Sequence, residues 1–178
     1  MVSRELVRDF VRPLDGAYYV NEQDTVREAL RFMDKARQDG KPLCLFVVGK
    51  ALPEKGVIKG YVTPRELVFG LTTRFLRGAE KSGPIFWEGQ FESECRDGMG
   101  KQVGEIMSPI RAYVRDSEML MEAVFLLHKY EQDFLLTINK EEEVVGSIHL
   151  DEILRHISTL VDKRADVQKR VKKEERVI

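Results

Sequence analysis

Two short phrases hold side chains whose types and spacing suit ligand chemistry: KGYVTPREL at Lys59–Leu67 and VGSIHLDEI at Val145–Ile153. In the first, Gly60 is followed at equal intervals by Thr63 and Glu66. In the second, Gly146, His149 and Glu152 keep that spacing, with Asp151 as a further carboxylate. A hydroxyl beside the unpaired N–H groups of a helix's first turn makes an anion site, because that end of the helix dipole is positive. A carboxylate one turn further on can accept two charge-assisted hydrogen bonds from a ribose diol. A glycine, having no Cβ, lets a ligand come close to the backbone. His149 lacks the hydroxyl; protonated, it would pair with a phosphate, and its charge would change at about pH 6 to 7. The same residues also fit a purely structural reading. Thr63-Pro64-Arg65-Glu66 has the form of a capping box with proline at the first helical position, and His149 can be a partly buried residue at a helix start. Capping and binding are compatible in one threonine.

The elements that must position these phrases occur twice. VRDFVRP (Val7–Pro13) is echoed by VGEIMSP (Val103–Pro109), each with an apolar pair near its proline. Short strands follow, AYYV at Ala17–Val20 and RAYV at Arg111–Val114. Then come amphipathic helices carrying Val26, Ala29, Leu30 and Met33 in one case and Leu120, Ala123, Val124 and Leu127 in the other, a single apolar stripe each time. LCLFVV at Leu43–Val48 answers FLLTI at Phe134–Ile138, both rich in β-branched or aromatic residues and short enough for strands. A polar turn follows each, long in the first half (Gly49–Gly56) and short in the second (Asn139–Glu143). Another strand then leads to Gly60 or Gly146 and into a second helix, with Leu67, Val68, Leu71 and Phe75 in one copy and Ile153, Leu154, Ile157 and Leu160 in the other. The unit reads β-α-β-β-α, twice. One copy of about 60 residues buries too little surface to offset chain entropy. The expected architecture is therefore α+β, with two tandem repeats packed sheet to sheet about a pseudo-twofold axis and a cleft along their seam.

This ordered series, ending in glycine–hydrophobic–hydrophobic–threonine–x–x–acid, resembles the tandem cystathionine-β-synthase (CBS) domain pair, or Bateman module. IMSP at Ile106–Pro109 is similar to the segment that opens many CBS repeats. The resemblance divides the chain into a first repeat at 5–77, an inserted linker at 78–102, a second repeat at 103–160 and a charged tail at 161–178. It implies a non-catalytic sensor binding AMP, ADP or ATP, less readily S-adenosylmethionine, in clefts between repeats, with no cofactor required. It implies that Thr63 contacts phosphate and Glu66 the ribose hydroxyls, with Gly60 beside them. Gly146, His149 and Glu152 hold the matching positions of a second site. Glu66 and Glu152 stand where the family has aspartate, which carries the carboxylate outward by about 1.5 Å. The histidine is a further departure, so the first site is the favoured one.

The remaining composition sets bounds. With 29 Lys and Arg against 30 Asp and Glu, a net charge of -1 gives no reason to expect nucleic acid or an anionic membrane as partner. Apolar runs such as PLCLFVV at Pro42–Val48 fall short of the roughly 20 residues that span a bilayer. The N-terminus has no signal-like apolar stretch. Two cysteines, Cys44 and Cys95, do not make a disulfide framework, so a reducing cytoplasm is expected. Three histidines, His128, His149 and His156, show no metal-ligand spacing; His149 and His156 could share a helix face, but two ligands without a third do not make a metal site. Nothing matches a P-loop, a nucleophile elbow or a dinucleotide fingerprint, so no enzymatic activity is expected.

Arg77–Gln102 gathers Ile85, Phe86, Trp87 and Phe91, which a purely flexible linker would not carry. It reads as a loop packed over the pair with Trp87 as anchor, or as a lid or contact patch. From Asp162 onward seven Lys and Arg face four Asp and Glu, a solvated helix or frayed tail. The function expected from all this is a regulatory module that binds an adenine nucleotide near Thr63 and Glu66, forms a homodimer and acts on a separate protein. The alternative is a ligand-free dimerisation and docking module. Neither phrase names the nucleotide or the target.

Overall fold

The computed structural model describes residues 4–49 and 57–174. The long turn read at Gly49–Gly56 lies outside the described residues from position 50 on, as does the tail beyond 174. The elements are β1 (Tyr18–Asn21), α1 (Val26–Gln38), β2 (Leu45–Val48), β3 (Ile58–Val62), α2 (Pro64–Leu71), α3 (Thr73–Ser82), α4 (Gln90–Gly98), α5 (Val103–Ile106), β4 (Ser108–Pro109), β5 (Tyr113–Arg115), α6 (Leu120–Tyr130), β6 (Phe134–Ile138), β7 (Val144–His149) and α7 (Leu150–Glu174). A 3-10 turn at Val7–Asp9 precedes them. Among the described residues no helix is long and apolar enough to cross a membrane.

Two compact units result, and the chain visits one of them twice: residues 15–111 form one, and residues 1–14 join 112–178 in the other. In the first unit β1 pairs parallel with β2, β2 antiparallel with β3 and β3 antiparallel with β4. In the second, β5 pairs parallel with β6 and β6 antiparallel with β7, and Arg12 adds a single antiparallel bridge to Ser147. The parallel pairs are the ones that need a crossover, and α1 and α6 supply it. Thus each echoing segment completes the sheet of the opposite copy: Met107-Ser108-Pro109 lies on the strand of Gly60, and Val11-Arg12 on the strand of Gly146. Sequence similarity and spatial packing partition the chain differently.

The helical stripes bury as their spacing requires. Val26, Ala29 and Met33 of α1 join Val20, Leu45, Val47, Val62, Leu67, Leu71 and Val103 in one core. Leu120, Ala123 and Leu127 of α6 join Val7, Val114, Leu135, Ile148 and Ile153 in the other. Val7 and Val103, at matching places in the two echoes, are both fully buried, each in the unit to which its own segment crosses.

The helix expected to run from Leu67 to Phe75 is two helices. Thr72 Oγ1 donates to the Val68 carbonyl at 2.9 Å, and Thr73 Oγ1 donates to the Phe69 and Gly70 carbonyls, both at 2.9 Å. Paired back-bonding of this kind bends helices, and α2 stops where it occurs. The insert is not a plain loop: it holds most of α3 and all of α4, joined by 83–89. Nor is Trp87 a buried anchor; it is 55% exposed, and Ile85, Phe86 and Phe91 are more so. Of the stripe Ile153-Leu154-Ile157-Leu160 on α7, Ile153 is buried and the other three are exposed.

Candidate functional site

Thr63 follows β3 directly as the N-cap of α2, and Glu66 occupies the third helical position. One carboxylate oxygen, Oε2, accepts from the Thr63 backbone N–H at 2.9 Å and from the Thr63 hydroxyl at 2.5 Å. The other, Oε1, accepts from Ser108 Oγ at 2.8 Å. Both Thr63 and Glu66 are buried. Glu66 therefore reaches back to the cap as a capping box requires, and it also ties α2 to β4.

Gly60 is demanded by that strand pairing. A Cβ there would lie 2.5 Å from the Ser108 carbonyl oxygen, so the close approach in this structure is made by the chain's own backbone. Beside Glu66 an open groove of about 420 Å³ is lined by Arg65, Phe69, Thr73, Arg77 and Ser108 among others. The Arg65 guanidinium sits 5.0 Å from the centroid of Phe69. Three carboxylates (Glu66, Glu80 and Glu105), two guanidinium groups and an aromatic ring around one groove can meet a diol, an anion and a planar base.

The second phrase has the same skeleton and different chemistry. A Cβ on Gly146 would lie 2.3 Å from the Arg12 carbonyl oxygen and from Val11 Cγ1. The Arg12 and Ser147 backbones exchange two hydrogen bonds, at 2.8 and 2.9 Å. Arg12 precedes Pro13 as Ser108 precedes Pro109, so it holds the place of the serine in the other unit. Its guanidinium pairs with Asp151 at 2.9 Å and with Glu152. Arg12 Nε is buried with no hydrogen-bond partner. Where the first site presents a carboxylate held by a neutral hydroxyl, the second presents one bound by a resident cation.

His149 closes β7 and does not share a helix face with His156, contrary to the spacing expectation. It is buried, stacks on Phe134 with ring centroids 5.5 Å apart, and places Nε2 2.9 Å from Ser147 Oγ. Its pKa is lowered to about 4, chiefly by burial and also by Arg12, against the upward pull of Asp151 and Glu152. The imidazole is therefore neutral at pH 7, and the expected change of charge at about pH 6 to 7 does not belong to this residue. His156 meets Glu5 at 2.6 Å and the edge of Phe10, and His128 is exposed on α6, so the histidines do not converge. Among the described residues no group of three or more His, Cys, Asp or Glu could hold a metal ion.

Arg12 and Ser108 were not among the residues singled out by composition. The echo of VRDFVRP in VGEIMSP sets them at matching positions, but one chain read alone does not say which strand each will cross to.

The CBS-domain profile matches residues 7–72 and 103–159, together well over half of the chain. The chain belongs to the CBS-domain family. No curated protein matches it. Among solved structures it is similar to the CBS-pair protein CBSX2 from Arabidopsis thaliana, at 22% identity and a TM-score of 0.60 over 91% of this chain and 99% of that one. CBSX2 in complex with AMP matches at 20% identity and 0.59, over 88% and 98%. The cytosolic domain of the Mg2+ channel MgtE in complex with ATP matches at 23% identity and 0.54; 86% of this chain covers 49% of that one, so the present chain spans about half its length. At these identities the likeness establishes the fold, that of a CBS pair. The segments left unmatched by the profile include residues 73–102, which hold α3 and α4.

Proposed function

We propose that this CBS pair is a regulatory, non-catalytic module that binds an adenine nucleotide (AMP, ADP or ATP) in the groove beside Glu66 and thereby alters contacts with a separate protein. The observation that carries the reading is the carboxylate of Glu66, fixed by Thr63 and Ser108 at the edge of a groove that also presents Arg65 and Arg77. Ribose hydroxyls would meet Glu66, and phosphate would meet the guanidinium groups, with Thr63, buried behind the groove, holding Glu66 in place. The likeness to structures holding AMP and ATP supports the choice of ligand. Gly146, His149 and Glu152 are proposed to be the unoccupied counterpart, because Arg12 already pairs Glu152 and His149 is uncharged. Regulation then requires different affinity for two arrangements of the module, since equal binding shifts neither. Exposed Met121 and Phe125 on α6 and Leu154, Ile157 and Val161 on α7 support a homodimer formed through these helices.

A specific observation favours the second reading, a ligand-free docking module: both oxygens of Glu66 are already satisfied within the chain. Thermal-shift and calorimetric titration with AMP, ADP, ATP and S-adenosylmethionine separates the two. Ligand at 100 times its dissociation constant adds about 2.7 kcal/mol. Thr63→Val and Glu66→Ala each weaken binding by about 1 kcal/mol or more. No shift with any of the four ligands assigns the protein to docking.

A further inference from the structure

The insert between the two family-matched segments lines another open groove, of about 330 Å³, which shares no lining residue with the groove at Glu66. This volume lies within the range of small-molecule sites, about 300–1,000 Å³. Phe75 and Ala79 of α3 and Ile85 and Trp87 of the connecting loop form its apolar wall, and Gln90 and Glu94 enter from α4. Both polar residues are more than nine-tenths buried.

Their hydrogen bonding is incomplete on the groove side. Gln90 spends its amide N–H on the Ile85 carbonyl at 3.3 Å. Glu94 accepts from Arg74 Nε at 3.1 Å and Nη2 at 2.9 Å, both at Oε1. Gln90 Oε1 and Glu94 Oε2 accept nothing from the described residues. Neither oxygen is among the buried unpaired atoms, so both keep solvent access and are open to a donor entering the groove, on neighbouring turns of one helix beside aromatic walls. Arg74 also meets Asp97 at 3.1 Å, so its charge is shared between two carboxylates, of which Glu94 lines the groove.

We infer that this groove binds a small planar aromatic molecule carrying a cationic N–H edge, such as an amidine or a ring amine, with its ring against Phe75 and Trp87 and its donors on Gln90 Oε1 and Glu94 Oε2. An aromatic wall favours such a cation through the ring faces, and two acceptors side by side match a forked donor. The inference does not rest on nucleotide binding, which concerns the other groove.

Trp87 is the only tryptophan, so its fluorescence reports on the groove directly. The full chain is titrated with benzamidine and with its anionic counterpart benzoate. Benzamidine is expected to give a saturable change and benzoate none. Glu94→Gln weakens benzamidine about tenfold, the loss of one charge-assisted hydrogen bond. Gly78→Leu is the fold-preserving control: Gly78 lines the groove on α3, a Cβ there meets nothing within 4 Å, and leucine is the better helix former. That variant should keep or raise the unfolding temperature while abolishing the benzamidine signal. Saturating AMP should leave benzamidine affinity unchanged. The inference is overturned by the absence of a saturable signal in the wild type, by equal binding of benzoate, by folded Gly78→Leu binding as the wild type does, or by displacement of benzamidine by AMP.

Discussion

Ser108→Ala separates two roles of one carboxylate. Among the described residues, the hydroxyl of Ser108 supplies the only hydrogen bond that Glu66 Oε1 receives, at 2.8 Å. A hydrogen bond to a charged group contributes about 1.5–3 kcal/mol when water is excluded. Ser108 is half-buried and lines the open groove, so water replaces the lost donor and the net cost falls to about 1 kcal/mol. For a chain of this length that lowers the unfolding temperature by about 2–4 °C. Nucleotide affinity should move the other way. A ribose diol that meets Oε1 on the lone pair held by Ser108 Oγ displaces that hydroxyl in the wild type, and in the variant it displaces only water. About 1 kcal/mol of competition removed is a gain of about fivefold in affinity. Urea denaturation gives the stability change and calorimetric titration with AMP the affinity change, on the same preparation. Loss of stability together with unchanged or weaker AMP binding would refute the reasoning, because the ligand would then not be using Oε1.

Gly146→Ala forces a Cβ to within 2.3 Å of the Arg12 carbonyl, and the strand moves only by breaking its two hydrogen bonds to Ser147; urea denaturation should show about 2–4 kcal/mol of destabilisation, and a loss under about 0.5 kcal/mol would contradict the contact. His149 binds its proton less tightly when folded, with a pKa of about 4 against 6.5 for the free side chain, so between these values the unfolded state holds more protons and stability falls as pH falls. The contribution is complete above pH 6.5 and lost towards pH 4, about 3 kcal/mol in all; the pH dependence of unfolding in His149→Gln, subtracted from that of the wild type, isolates it, and equal slopes would refute a neutral buried imidazole.

The apolar spacing of Val26-Ala29-Met33 and of Leu120-Ala123-Leu127 fixed two helices and their buried faces, because a stripe with the helical period can be covered only one way. The runs FLLTI and LFVV became strands for an equally local reason: β-branched and aromatic side chains fit a pleated sheet. The duplication, and with it the equivalence of Glu66 and Glu152, was legible because both copies remain in the chain. The break between α2 and α3 depended on where the hydroxyls of Thr72 and Thr73 turned, which helical propensity does not register.

Long-range pairing decided the rest. Gly60 and Gly146 read from the sequence as openings for a ligand; only the crossing of Ser108 and Arg12 onto their strands shows that backbone takes the space. The sequence offered two similar acids. Tertiary structure gave one of them a neutral hydroxyl on an open groove and the other a guanidinium, because the partner of each comes from a segment 42 or 140 residues away in the chain. Charge at His149 was undecided for a related reason: the nearby Asp151 and Glu152 favour its proton, and only burial, with Phe134 stacked on the ring, and Arg12 outweigh them, neither legible from adjoining residues. Local periodicity specifies which faces are apolar, whereas the electrostatics of a site depend on which distant strand arrives beside it.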